Sequence, residues 1–444
     1  MKIFRNNTKE LLSKFKFDFS LFIAYSLKLK YSYKSERQIS MRKTTSKKLS
    51  SLFLLGITFS IFIACKKDSV PAVPNKEKPT IFFNVQPADP KSGKVDMNVM
   101  NWNDKTYFLG TDSLKIGFVQ GKMITDYLAK TDPAKLDRNG DGIIGYVLCI
   151  GDPGHKDSRG RTEAVRKSLG TWDDSFDAKR AKEGKAVVGG KEYKILELDS
   201  KVMTGPDGTM WNADAATEAM SNWVTKLDTQ IDMVISNNDQ MAMGCLQVSN
   251  YPAGLPIFGF DAVADALESI KSGKLTGTVS QNADAQMASI MQILRNLLDG
   301  LPSNEILESG FTKPDQYGNQ IPVSIDYNPE TKAITLNGIA ITKENCQEFI
   351  TEKRFETVKQ TKAPAKKVFF STYNETDLFM TTKVRPAAFH YAPLYNLKLS
   401  VFGGDGQNES SLLDKFTNLN KYDAYVIGII RQNSGQDYLD KLKY

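Results

Sequence analysis

Residues 137–161 read DRNGDGIIGYVLCIGDPGHKDSRGR, and the fold follows from how this stretch is parsed. Tyr146 to Ile150 is a short apolar run, the pattern of a buried strand. Gly151, Asp152, Pro153 and Gly154 then turn the chain. His155, Asp157 and Arg161 follow at once, so mixed donors and acceptors stand at the carboxyl end of a strand, where open α/β sheets bind ligands. Ahead of the strand, Asp137, Asn139 and Asp141 place side-chain oxygens at the first, third and fifth positions of a loop. Gly142 occupies the sixth and the Ile143 carbonyl the seventh, which is the oxygen spacing of an EF-hand-type calcium loop. An Asx-rich turn without metal accounts for the same residues.

The pattern extends outward on both sides. Thr80–Phe83 and Thr106–Leu109 are short apolar strands, and Ser113–Leu128 carries apolar residues at helical spacing. Beyond Arg161 come a strand near Lys194–Leu198, a helix over Ala213–Leu227 and the strand Met233–Ile235. Ser236-Asn237-Asn238-Asp239 caps a helix running to Val248. Strands at Pro256–Phe260 and Thr276–Val279 alternate with helices at Ala264–Ser272 and Ala283–Leu298. This alternation predicts an α/β protein with doubly wound parallel sheets. Residues 301–352 read as short strands and turns with a last helix near Lys343–Phe349. A basic stretch, 353–367, lacks any apolar period. After it the rhythm restarts, with strands at Val368–Ser371, Leu397–Val401 and Tyr425–Ile430. Three strands make a thin domain by themselves, and the piece at 80–111 is equally incomplete.

The chain has 444 residues and a formal charge of +7. Residues 1–64 hold 13 Lys and Arg against 3 Asp and Glu, so the surplus belongs to the amino-terminal stretch and no nucleic-acid footprint remains. From Met41 the chain gives Arg42, Lys43, Lys47 and Lys48, then the apolar run Leu52–Ala64, then Cys65. That run is too short to span a bilayer and reads as a signal-peptide core. Ala64-Cys65 after Phe62 and Ile63 resembles a bacterial lipobox, which implies lipidation at Cys65. A plain secretory signal is the alternative. The start codon is Met1 or Met41. Residues 66–78 form a polar tether. Cys149 and Cys245 lie in an apolar strand and an apolar helix and read as small core residues, and no cysteine spacing suggests zinc or a redox pair.

The residues quoted, together with IFFN (81–84), GTDS (110–113), MW (210–211), NNDQMAMG (237–244), FGFDA (258–262) and KSGKLTGTV (271–279), resemble the galactose/glucose-binding members of the type I (cluster B) periplasmic binding proteins, the sugar receptors of ABC transporters. The resemblance covers roughly residues 77–352 in order. The family's first βα units are missing ahead of residue 77, and residues 367–444, including VFFSTYNETDLFM (368–380), look like them. The chain therefore reads as a circular permutant. One lobe is expected from 79–111, 281–322 and 367–444, the other from 112–280 and 323–352, with 353–366 joining the ancestral ends and 1–65 as leader. Fusion to an unrelated flavodoxin-like piece is the rival account.

The resemblance implies a hexose site. A hexose has two apolar faces and a rim of hydroxyls, so its binder needs aromatic plates and planar polar groups. Trp211 and Phe379 would be the plates. The rim would be Asn84 and Asp377 from one lobe, His155, Asp157, Arg161, Asn238 and Asp261 from the other, and Gln281 near the hinge. Gln281 replaces the family's Asn, which bears on sugar preference. In the metal loop, Gly145 stands where the family has a glutamine ligand, and Asp232 replaces a bidentate Glu, so Asp137, Asn139, Asp141, Ile143 and Asp232 are the expected ligands of a structural Ca²⁺. The implied function is delivery of D-glucose or D-galactose to an ABC transporter permease and its ATPase by a monomer held to the membrane through its lipid alone. Presentation of the closed form to a chemoreceptor uses the same pocket. A carbohydrate-processing enzyme would need a paired acid and base, and Arg161 should keep Asp157 ionised.

Overall fold

In the computed structural model the described residues are 74–176, 182–301, 311–314, 320–323, 325–351, 353–354 and 363–443. The leader, Cys65, most of the tether and the middle of the 353–366 linker lie outside them. No described helix is long and apolar enough to cross a membrane.

In chain order the elements are β1 (Thr80–Phe83), β2 (Thr106–Gly110), α1 (Ser113–Lys130), β3 (Ile143–Ile150), α2 (Lys156–Ser168), β4 (Gly184–Val188), β5 (Lys191–Val202), α3 (Ala213–Leu227), β6 (Met233–Ser236), α4 (Asp239–Cys245), β7 (Ile257–Phe258), α5 (Ala264–Lys271) and β8 (Gly277–Ser280). They continue with α6 (Ala283–Leu298), a hairpin of β9 (Phe311–Pro314) and β10 (Gln320–Val323), β11 (Ile325–Asn328), β12 (Ala333–Leu336), β13 (Ile339–Thr342), α7 (Cys346–Ile350), β14 (Lys366–Thr372), α8 (Arg385–Leu394), β15 (Leu397–Gly403), β16 (Ala424–Gly428) and α9 (Gly435–Leu442). Most of the strands are apolar throughout because helices cover both faces of a parallel sheet. Helix starts follow local capping chemistry. Asp112 accepts from the Leu114 and Lys115 amides, Asn212 from Ala215 and Asn238 from Met241.

Two seven-stranded sheets result. The first runs β11-β12-β2-β1-β16-β14-β15, the second β13-β8-β7-β6-β3-β5-β4. Each is parallel at its centre. The antiparallel pairs are β11–β12, β13–β8 and β4–β5. β1 lies between β2 and β16, with Thr80 opposite Thr106 on one side and Tyr425 on the other. Of the carboxy-terminal strands, β16 and β14 are therefore interior to the same sheet as residues 80–110, and β15 forms its edge. One apolar core joins Phe82 and Leu109 to Phe370, Val426 and Leu439. α6 belongs to this lobe as well, and its Asp284 accepts a hydrogen bond from the Tyr391 hydroxyl of α8.

One expectation needs correction. Residues 323–352 do not all belong to the second lobe. β12 pairs in parallel with β2, Ala333 opposite Phe108, and carries β11 with it into the first sheet. Only β13 and α7 join the second. The crossing expected near 322 therefore falls at Asn337-Gly338, where an added Cβ on Gly338 would strike Ile116 and pass 3.2 Å from Val279. The hairpin strand β4 was also absent from the reading. It is an edge strand whose middle residues face solvent, so no apolar pattern marks it. Finally, Cys149 and Cys245 are buried as expected, but their sulfurs lie 3.5 Å apart. A separation of 96 positions hides such a pair from any reading of spacing.

Candidate functional site

The carboxyl ends of both sheets face one narrow cavity, bounded by Asn84, His155, Asp157, Arg161, Trp211, Asn238, Asp261, Gln281, Tyr373, Asp377 and Phe379. The ten residues singled out for a hexose all line it. The eleventh, Tyr373, was missed. It stands one residue past β14, at the kind of strand end that supplied the others, so the same topological rule would have found it.

Each side chain is placed by the element behind it. Asn84 ends β1. His155 caps α2, its Nδ1 accepting from the Asp157 amide at 3.2 Å, which leaves Nε2 to carry the ring proton. Its ring meets Trp211 edge-to-face at 5.7 Å and lies 6.0 Å from Tyr373. Asp157 takes a hydrogen bond from Ser113 Oγ at 2.6 Å and one from Arg161 Nη2 at 3.2 Å. Arg161 donates from Nη1 to the Asn237 carbonyl at 2.7 Å and stacks 3.7 Å above the Phe260 ring. Asp261 receives Gln281 Nε2 at 2.6 Å and stands 3.6 Å from Arg161. Asp377 caps the helix after it through the Met380 amide at 2.9 Å and is held by the Tyr373 hydroxyl. Met380–Val384 winds as a π-helix before α8, an irregularity that gathers at functional sites and follows directly on Phe379.

Three lining residues hold left-handed backbone: Asn84 at φ 68°, Trp211 at φ 62° and Asp261 at φ 108°. For a bulky residue such as Trp this is costly and persists only where the surroundings impose it. Gly151 provides the space, because a Cβ there would run into the Trp211 ring.

All eleven lining residues are at most 8% exposed, and that burial sets the protonation chemistry. Desolvation raises the Asp261 carboxyl well above the ordinary range although Arg161 pulls the other way. It raises Asp377 too and lowers His155. Arg161 Nε and Trp211 Nε1 are buried donors without a partner in the structure. Buried donors of this kind are satisfied in nearly all native proteins, so they mark places for ligand oxygens. The ion pair of Arg431 Nη1 with Asp152 bridges from the first lobe to the turn after β3.

The candidate metal loop is internally bonded. Asp137 Oδ1 accepts the Gly140 amide at 2.8 Å and Oδ2 accepts Gly142 at 2.9 Å. Gly140 and Gly142 both take positive φ. Asp232 turns its two oxygens to the Arg138 and Gly145 amides, at 2.9 and 2.8 Å. Burial, then the charges of Asp137 and Asp141, raise its carboxyl to about 7. Among the described residues, no group of three or more His, Cys, Asp or Glu converges as a metal centre. Oxygen donors around an excess of negative charge do suit a hard cation.

The sequence profile of the periplasmic binding protein domain matches residues 75–302, just over half of the chain. The chain belongs to the periplasmic binding protein family. A second profile, also described as a periplasmic binding protein domain, matches residues 365–435. The two sheets with parallel centres are the type I form of the fold. This periplasmic binding protein is 33% identical over 243 residues, 53% of its length, to the D-galactose/methyl-galactoside binding periplasmic protein MglB of Haemophilus influenzae, of which 63% is covered. It is 29% identical over 150 residues to a xylitol-binding protein of Mycolicibacterium smegmatis, covering 33% of the chain and 42% of the relative. The chain thus spans less than two thirds of either. Among solved structures, the Caulobacter myo-inositol binding protein bound to myo-inositol is similar at a TM-score of 0.40 and 19% identity, over 61% of this chain and 76% of that one.

Proposed function

We propose that this protein binds a hexose, D-glucose or D-galactose, in the cavity between its sheets and delivers it to an ABC transporter permease. The observation that carries the reading is the lining itself: the aromatic side chains of Trp211, Tyr373 and Phe379, charged acceptors and unpartnered donors, drawn from both lobes into one cavity. Charged acceptors and Arg donors make stronger hydrogen bonds than neutral ones, which suits tight capture of a small polar ligand. The 33% relative named for D-galactose favours hexose over the pentitol named for the 29% relative. Ligand contacts from both lobes are complete only when the lobes meet, so binding shifts the population toward the closed form. Isothermal titration with glucose, galactose, xylitol and ribose tests this. Heat for either hexose supports it, and heat only for ribose or xylitol, or for none, overturns it.

Three further readings complete the proposal. The chain is a circular permutant of its family, a reading supported by the second periplasmic binding protein profile over residues 365–435 and by β16 entering the sheet beside β1. The protein is extracytoplasmic and lipid-anchored at Cys65, so Cys65→Ser should release it from the membrane fraction. The loop holds Ca²⁺ through Asp137, Asn139, Asp141 and the Ile143 carbonyl, with Asp232 beside it. Its charge would favour the ionised Asp232, so Ca²⁺ should raise the melting temperature more at pH 8 than at pH 5, where protons compete. An equal rise, or none, counts against the site.

A further inference from the structure

We infer that Cys149 and Cys245 are joined as a disulfide in the exported protein. The pair stands on geometry. Cys149 is the penultimate residue of β3 and Cys245 ends α4, and their Sγ atoms approach to 3.5 Å in one apolar cluster with no exposure of either residue. A disulfide places its sulfurs about 2.05 Å apart, so roughly 1.5 Å of movement completes the bond. Cys346, the remaining described cysteine, turns its Sγ to the Lys343 carbonyl at 3.7 Å. It offers neither thiol a competing partner. The neighbouring Cys245 sulfur, then burial, push the Cys149 thiol well above its usual value, so the folded thiol is a poor nucleophile and the bond must form while the chain is still folding.

The inference rests on the extracytoplasmic reading, because disulfides persist in oxidising compartments. The oxidant is an oxidised dithiol oxidoreductase of that compartment. One cysteine thiolate attacks its disulfide to give a mixed disulfide. The second thiolate then attacks the mixed disulfide, forming the Cys149–Cys245 bond. Two protons and two electrons leave the substrate cysteines, and the oxidoreductase departs as a dithiol. The bond would fasten β3, which launches the Gly151–His155 turn, to α4, whose cap is Asn238. Two edges of the cavity would then share one covalent brace.

The test uses the full chain exported to a bacterial periplasm, denatured in alkylating reagent without reductant and mapped by mass spectrometry. The expected result is a single cross-linked peptide pair containing Cys149 and Cys245, lighter by two hydrogens, with Cys346 alkylated. Alkylation of both Cys149 and Cys245 overturns the inference. As a second measurement, Cys149→Ala, Cys245→Ala and the double variant should each lower the melting temperature by the same amount, roughly 5–10 °C for a loop of this length. Additive losses from the two single changes overturn it. Sugar titration on the same sample separates the two readings. Free thiols in a protein that binds hexose defeat the bridge alone, and a bridged protein that binds no sugar defeats the function alone.

Discussion

Trp211 concentrates the residue-scale argument. A left-handed tryptophan lies against Gly151, edge-on to His155 and near the Arg161 guanidinium. Gly151→Ala should therefore displace the ring and weaken hexose binding by tenfold or more (about 1.4 kcal/mol or greater). The melting temperature should move by only a few degrees, and titration beside a thermal scan checks both. Unchanged affinity would mean that the ring is not a sugar plate. At this scale the sequence was highly legible, because ligand groups cluster at strand ends and strand ends can be read. Tyr373 escaped because an aromatic residue directly after an apolar strand reads as part of that strand's core. The gathering of Cys149 and Cys245 escaped for another reason: no local rule links a strand to a helix 96 positions away.

At the scale of elements, Asp239 shows what a buried acid costs. It sits in the first turn of α4, accepts Thr278 Oγ1 at 2.7 Å and the Val263 amide at 3.0 Å, and so ties α4 to β8 and to the start of α5. Desolvation raises it from 3.8 to about 7. The folded state thus binds a proton that the unfolded chain has released between these values. Its contribution to stability is whole below about pH 4 and is lost as pH rises through 7, a change of about 4 kcal/mol. Asp239→Asn should flatten the decline in unfolding free energy between pH 4 and pH 8, as read by denaturant titration. A decline of the same size in the variant would assign it to other groups. Helices α3 and α6 were legible to the residue because an apolar stripe at helical spacing is long and redundant. Strand β11 was not, since three of its four residues are exposed. The lobe to which it belongs depends on which sheet edge is open, a matter decided far away in the chain.

For the whole molecule, the Arg431–Asp152 ion pair is made only when the lobes meet. Asp152 is buried and Arg431 is about one-third exposed, so the pair is worth on the order of 1 kcal/mol. Arg431→Ala should raise the hexose Kd about fivefold, with a larger radius of gyration in the unliganded protein by small-angle scattering. No change in either would remove the pair from the closing equilibrium. The permutation makes a separate prediction. A rearranged chain running 367–444 and then 79–352 restores the order of the family, and it should fold and bind hexose within a few-fold of the natural chain. Failure to fold would argue for a tail that was never part of the ancestral lobe.

The place of β1 between β2 and β16 also sets a timetable for assembly. Its near neighbour emerges about two dozen residues later, its far neighbour some 345 positions on. The second sheet has all its strands by Thr342, although β11 and β12 of the first sheet come between its last two, so it can close while the first still waits for β14, β15 and β16. Newly exported molecules should pass through a stage with one finished half and one half-built partner. In that interval the open flank of β1 has no cover except what chaperones of the envelope provide.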